Sequence, residues 1–208
     1  MSSPLWNTLI SQGTHRRFQP GETLVREGER SEQVLFIVEG FVTIGMHDSS
    51  GRYALLDLRG PGEFIGEMAA IDGQAVRQVT VTAGTELRAV LIPGIGFRRV
   101  LSMEPELGFI LTRALGSRLD WANRRRLDAA SVDVETRIAR LLLALAERYE
   151  FLRNLPLTQA GIASMAATSV VAAQRVLRRF RSLGLVRTGY RTLEIVDPVG
   201  LQRVAEPD

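Results

Sequence analysis

The hydrophobic pattern of this 208-residue chain changes period sharply near Glu104, and that change limits the fold more than any other feature. Before it, over residues 14–100, short apolar runs alternate with glycine-bearing turns: Pro20-Gly21, Glu27-Gly28, Glu39-Gly40, Ser50-Gly51, Gly60-Pro61-Gly62, Asp72-Gly73 and Ala83-Gly84. The runs Val34–Val38, Val42–Met46, Tyr53–Leu58, Val79–Thr82 and Leu87–Ile92 have the usual strand length of about 5 residues. Many short strands at regular spacing predict an antiparallel sandwich or barrel. After the change, Leu107, Leu111, Leu115 and Leu119 recur every four residues, with Ile110 and Ala114 beside them. This spacing predicts a helix from Glu104 to about Leu127. One apolar stripe would pack on the barrel. The remaining positions, Leu111, Ala114, Leu115, Arg118, Leu119, Trp121 and Ala122, are candidates for packing on a second copy of the helix. The competing expectation is a single amphipathic helix on its own core.

Helical signals bracket this pattern. Ser3 and Pro4 read as an N-cap and first helical position ahead of Leu5, Trp6, Leu9 and Ile10. A second long helix is predicted from Asp133 to Glu150, with Val134, Ile138, Leu141, Leu142, Leu145 and Tyr149 on its core face. Thr158 can cap a short helix carrying Ile162 and Met165, and Ala166-Ala167-Thr168 makes a turn. Ser169 can then cap a helix with Val170, Val171, Val176, Leu177 and Phe180, which Gly184 terminates. Leu185–Val196 reads as a hairpin around Thr188-Gly189-Tyr190.

Charge gives this last region a function. Residues 151–193 hold seven arginines (Arg153, Arg175, Arg178, Arg179, Arg181, Arg187 and Arg191) and neither aspartate nor glutamate. An uncompensated positive field attracts a polyanion, and the attraction grows with each phosphate neutralised. Two helices joined by a short turn, the second one basic, form a helix-turn-helix, and the hairpin after it forms a wing. Gln174, Arg175, Arg178, Arg179 and Arg181 lie on or near the polar face of the second helix, and Arg187 and Arg191 flank the hairpin turn. Double-stranded DNA is the expected partner. The plainer alternative is a solvated helix-loop-helix.

Composition removes other classes. The chain has no cysteine, which excludes disulfides, thiolate zinc sites and cysteine-ligated clusters. His15 and His47 are its only histidines, and two isolated ones supply neither a metal site nor haem ligation. No nucleophile–base constellation is evident, so no enzymatic activity is expected. The N-terminal segment lacks a signal-peptide pattern, and no apolar run approaches the roughly 18 residues that span a bilayer. A cytoplasmic protein without membrane contact is expected.

The order of parts resembles the cyclic-AMP receptor protein/fumarate-nitrate regulator family of bacterial transcription factors. The resemblance covers nearly the whole chain. Its specific segments are PGETLVREGE at 20–29, LFIVEGFVTI at 35–44, GPGEFIGEMAAIDG at 60–73, DVETRIARLLLALAERY at 133–149, and LTQAGIASMAATS with RVLRRFRSLGLV within 157–186. It implies an α+β fold in three parts: a sensory β-roll (a double-stranded β-helix) at 1–103, a dimerisation helix at 104–131, and a winged helix-turn-helix at 132–208. It also implies a homodimer, a small effector in the roll, and RNA polymerase as a candidate partner.

By resemblance, Gly66, Glu67, Arg77 and Gln78 match the family's phosphate cassette. Glu67 would accept a ribose hydroxyl, backbone N–H groups around Gly66, Met68 and Ala69 would face a phosphate, and Arg77 would pair with its charge. No cofactor is required, and cyclic AMP or a relative is the candidate effector. Two departures bear on this. Gln78 replaces a small hydroxyl residue and is long enough to fill the site. Ala122 and Asn123 align with a Thr-Ser pair that contacts adenine, and Ala122 has no side-chain hydrogen bond to offer a base. Another effector, or a pocket closed by a Glu67–Arg77 salt bridge, are the alternatives. The candidate DNA-binding set is Thr158, Ser169, Val170, Val171, Gln174, Arg175, Arg178, Arg179, Arg187 and Arg191. Val170 and Val171 stand where many members carry an Arg-Glu pair, and Ala167 replaces the usual glycine of the turn. Valine can touch a thymine methyl but reads no base by hydrogen bonds. A ligand-sensing or protein-interaction module without sequence-specific DNA readout is therefore the competing function.

Overall fold

The computed structural model describes residues 4–49, 51–73, 76–149 and 154–206. Ser3, Ser50, Glu150 and Arg153, each used in the sequence reading, lie outside the described residues. The chain divides into two compact units, Met1–Tyr53 with Asp57–Arg118, and Ala54–Leu56 with Leu119–Asp208.

The first unit contains α1 (Pro4–Ser11), β1 (Thr14–Phe18), β2 (Thr23–Val25), β3 (Val34–Glu39), β4 (Val42–His47) and most of β5 (Tyr53–Arg59). After these come β6 (Phe64–Ile65), α2 (Glu67–Asp72), β7 (Thr80–Ala83), β8 (Leu87–Ile92), α3 (Gly94–Met103) and the first half of α4 (Pro105–Ser131). The strands form two four-stranded sheets, ordered β1-β8-β3-β6 and β2-β7-β4-β5. β3 is antiparallel to both β8 and β6, with Phe36 opposite Val90 on one side and Phe64 on the other. Its near-continuous apolar sequence follows from burial on both faces. Leu35 and Ile37 pack with Phe18, Val42, Val81 and Leu87 from both sheets. Val34 and Phe36 pack with Leu5, Leu9, Phe97, Val100 and Leu107 from the helices. Trp6 stacks on Phe36 at 5.0 Å, Phe36 lies 5.0 Å from Phe64, and Phe64 meets Phe97 edge-on at 5.7 Å. These rings fix β6, and with it the Gly66-Glu67 segment that follows.

The second unit holds the rest of α4, then α5 (Val134–Arg148), β9 (Asn154–Leu155), α6 (Gln159–Met165), α7 (Val170–Ser182), β10 (Val186–Gly189), β11 (Thr192–Ile195) and α8 (Pro198–Ala205). β11 is central in a three-stranded sheet, flanked by β10 and β9. α5 begins at Asp133, whose carboxylate accepts from the backbone N–H of Glu135 at 2.8 Å and of Thr136 at 3.0 Å. Its apolar stripe, Ile138, Leu141, Leu142 and Leu145, is buried. Among the described residues, no single helix is long and apolar enough to cross a membrane.

The structure departs from the sequence reading in definable ways. α4 ends at Ser131, past the Leu127 read from the leucine spacing and at the bound that the resemblance implies. α3 lies within the region read as strands; Gly94 and Gly96 signal a turn, but burial of Phe97 and Val100 makes it a helix. β1 has four exposed residues of five, so no alternation marked it, and it is a strand because it pairs with β8. The hairpin turn is Tyr190-Arg191, since Gly189 pairs with Thr192 and Arg191 takes a left-handed φ of 56°.

The Asp133 cap is a charge-assisted bond, and the backbone N–H of Thr136 holds this carboxyl below its ordinary range. A depressed folded pKa contributes stability above the unfolded value, lost as pH falls through the folded one. Asp133→Ala should cost about 1 kcal/mol at neutral pH. In urea unfolding, the gap from wild type should narrow only below about pH 4, where the unfolded carboxyl protonates.

Candidate effector pocket and nucleic-acid interface

The first site is a buried carboxylate among guanidiniums. Gly66 sits at φ 84°, a left-handed conformation, and ends β6 so that α2 starts at Glu67. The left-handed φ favours glycine at Gly66, and a Cβ there would also displace the Arg77 guanidinium. The first turn of α2 has no side-chain cap, which leaves its leading N–H groups, those of Glu67, Met68 and Ala69, without helical acceptors. Glu67 is buried, and its Oε1 accepts from Arg118 Nη1 of α4 and lies 3.9 Å from Arg59 Nη1 of β5. Arg59 also donates to the Phe64 carbonyl at 2.7 Å and lies 3.9 Å from Asp57. Arg77, also buried, donates to the carbonyls of Gln33 and Gly66 and to Ser31 Oγ.

Each of these arginines has a buried Nε without a hydrogen-bond partner. Burial pushes the Arg59 guanidinium below its ordinary pKa, and neighbouring Arg118 adds to this, against Glu67, Asp57 and Glu63. Burial pushes Arg77 down too, opposed by Glu67 and Glu29. Both shifts come first from burial, and only at Arg59 does a neighbouring cation add to it.

Glu67 and Arg77 come together as the sequence suggested, but the proposed Glu67–Arg77 salt bridge is not the pairing observed. Glu67 is bonded to Arg118, and Arg77 is bonded to backbone and Ser31. Arg118, read as a dimer residue, instead turns inward to the pocket with its side chain largely buried. Sequence reasoning missed Arg59; its only signal was a charge directly after the run Tyr53–Leu58, which already holds Asp57. Gln78 and Met68 are exposed, so Gln78 does not fill the site, while Ala69 is half-buried. Ala122 and Asn123 are exposed on the part of α4 that belongs to the second unit.

The dimer candidates on α4 also sort by burial. Leu111 lies in its own core and is unavailable to a partner, because the stripe through Leu107 and Leu111 faces the roll. Ala114, Leu115 and Trp121 are half-buried. The apolar side chains left in solvent are Phe109, Leu119 and Leu127, at 75%, 61% and 66% exposure. At about 100° per residue they fall within an arc of about 80° on the helix. The four-residue leucine spacing starts on the core stripe at Leu107 and Leu111 and rotates off it by Leu119, so it does not mark Phe109 or Leu127.

The second site is the α6–α7 pair. The chain bends by 109° between these helices, within the ~90–120° range of helix-turn-helix motifs. Thr158 Oγ1 accepts from Gly161 N at 3.0 Å and Ser169 Oγ from Ala172 N at 3.1 Å, so both hydroxyls act as caps. Between them, Ala167 adopts φ 48°, the left-handed turn conformation that glycine takes without strain. Ala173, Val176, Leu177 and Phe180 bury one side of α7. Val170, Val171, Gln174, Arg175 and Arg178 are exposed on the other. Two expected phosphate contacts are already paired: Arg179 with Glu135 at 3.1 Å and Arg187 with Glu194 at 2.7 Å. Acids just outside the acid-free stretch reach back to it in space. Such exposed pairs contribute only ~0–1 kcal/mol, so a phosphate can exchange for the carboxylate. Arg181 Nη1 donates to Thr188 Oγ1 at 3.3 Å, and Arg191 is exposed at the wing tip.

Two family models match the chain: a cyclic nucleotide-binding domain over residues 15–104 and a Crp-like helix-turn-helix domain over residues 136–204. The CRP-like cAMP-activated global transcriptional regulator of Mycobacterium tuberculosis H37Rv is 31% identical over 194 residues, covering 90% of this chain and 86% of the relative. The chain belongs to the CRP/FNR family of transcriptional regulators. Among solved structures, the CRP-family regulator TTHB099 of Thermus thermophilus superposes with a TM-score of 0.73 at 25% identity, covering 91% of this chain and 96% of that one. The c-di-GMP-responsive regulator CLP of Xanthomonas campestris shares the fold, with a TM-score of 0.75 at 23% identity and coverage of 93% and 98%. The CRP/FNR relatives are regulators, not enzymes. In this CRP/FNR chain the two matched models contain the two sites described: the first holds Arg59, Glu67 and Arg77, the second α6 and α7.

Removing the shared carboxylate leaves the largely buried Arg118 without its acid and Arg59 with Asp57 alone. Glu67→Ala should therefore destabilise the protein by about 3–5 kcal/mol in urea unfolding. Glu67→Gln, which keeps an acceptor, should lose less.

Proposed function

We propose that the chain is a homodimeric, effector-gated DNA-binding regulator acting in the cytoplasm, with a sensory roll at 1–103, a dimerisation helix at 104–131 and a winged helix-turn-helix at 132–208. The observation carrying this reading is that one chain holds both a buried Glu67–arginine cluster with unpartnered Nε–H groups and a capped helix pair with an exposed, arginine-rich face.

The effector is anionic. Arg59, Arg77 and Arg118 each keep a buried Nε–H without an acceptor, and a cyclic phosphodiester supplies acceptor oxygens and a charge partner. Arg77 is its principal partner, with the uncapped α2 N–H groups of Glu67, Met68 and Ala69 beside it. A ribose hydroxyl must share Glu67 with Arg118, which α4 carries. Ligand arrival thus acts on the contact that ties this helix to the roll. To switch the protein, the ligand must favour one arrangement of α4 by a few kcal/mol. Ala122 gives little base selectivity, in line with an effector recognised by its phosphate. Phe109, Leu119 and Leu127 form the dimer face, which sets two reading heads on successive half-sites. Contact with RNA polymerase is the route from DNA binding to activation, and exclusion of the polymerase the route to repression.

Calorimetric titration of cyclic AMP, cyclic GMP and cyclic di-GMP into the purified protein tests the pocket. At least one should bind, and Arg77→Ala should weaken it by about 2–5 kcal/mol. Unchanged affinity in the variant would move the ligand elsewhere, and no binding by wild type would leave the pocket to the arginine–carboxylate cluster alone. Light scattering of the same sample should give twice the chain mass.

A further inference from the structure

The face of α7 that points away from the core is basic except at its N-terminal end. Val171 is 73% exposed there, and Val170 beside it is also in solvent. Ala173, Val176, Leu177 and Phe180 mark the buried side. At about 100° per residue, Val171 and Arg178 lie at the middle of the opposite side, with Gln174 and Arg175 flanking them. A β-branched residue is a poor helix former, and Val171 has no core to fill in return. Its position is that of a contact residue, in the first turn of the helix, where recognition helices meet base edges.

The surroundings fix what that contact can be. Gln174, Arg175 and Arg178 are exposed and belong to none of the ion pairs among the described residues. Residues 154–193 carry no acid, so the face complements a polyanion whose closely spaced phosphates are neutralised together. Within a major groove, an apolar side chain recognises one feature, the C5-methyl group of thymine. We infer that Val171 reads a thymine methyl and that each operator half-site carries thymine at that position, with Gln174 placed for a neighbouring adenine. This rests on the DNA-binding reading above and specifies its reading head.

The test uses the full-length protein and duplexes enriched from a random library, selected with and without cyclic AMP. Each thymine of the enriched half-site is then replaced by uracil, which removes the methyl group and leaves every hydrogen-bonding group in place. At one position per half-site, affinity should fall about fourfold, the factor for one buried methyl group, and roughly fifteenfold when both half-sites are changed. Val171→Ala, a substitution toward a better helix former, should bind the thymine and uracil duplexes equally. If uracil at every position leaves affinity unchanged while Arg175→Ala abolishes preference for the enriched duplex, the methyl contact is wrong and DNA recognition stands. If no duplex is enriched over scrambled DNA, both are overturned.

Discussion

A carboxylate buried beneath arginines is the constraint on which the sensory unit turns. Glu67 needs cationic neighbours to remain charged out of water, and Arg118 and Arg59 supply them. Those residues come from α4 and β5, so one charge joins three elements: the β6–α2 corner, the strand entering it and the long helix. The aromatic series from Trp6 to Phe97 holds the corner rigid, and Gly66 lets Arg77 approach its backbone. The cluster keeps three buried Nε groups without hydrogen-bond partners. It can therefore hold the unit together and still favour an incoming anion.

The second unit is organised differently, by caps and exposed charge. Asp133, Thr158, Ser169 and Asp197 each accept a backbone N–H at a helix start. These bonds set where α5, α6, α7 and α8 begin and hence the 109° bend between α6 and α7. With the helices fixed by caps and core, the outer face of α7 is free to vary chemically. Arg179 and Arg187 are held by Glu135 and Glu194 until a phosphate competes, so part of the basic face is oriented in advance.

Much of this was legible in the chain. The change of period at Glu104 marked the two kinds of architecture, and the caps at Thr158 and Ser169 located the helix pair to the residue. Gly66, Glu67 and Arg77 were identified by their resemblance to a phosphate cassette. What escaped depended on three-dimensional neighbours. Arg59 sits in a strand pattern, and only folding brings it 3.9 Å from Glu67. Arg118 has the helical spacing of a surface residue, and its inward turn is set by the buried carboxylate rather than by periodicity. Leu111 obeyed the expected repeat, but at Leu107 and Leu111 the repeat lies on the core stripe, and the outward face is Phe109, Leu119 and Leu127. The acids that neutralise Arg179 and Arg187 lie outside the stretch whose composition drew attention to it.

The central claim is that occupancy of the Glu67–Arg77 pocket changes how the reading heads engage DNA. Linkage requires the effect to be reciprocal and of measurable size. The most direct measurement is the affinity of the full-length protein for an enriched duplex and for scrambled DNA, at one salt concentration, with the pocket empty and then saturated with cyclic AMP, cyclic GMP or cyclic di-GMP. At least one nucleotide should change affinity for the enriched duplex by about tenfold or more, a coupling within the usual ~1–3 kcal/mol, and leave scrambled DNA unaffected. Identical affinity for the enriched duplex with and without all three nucleotides would contradict the account.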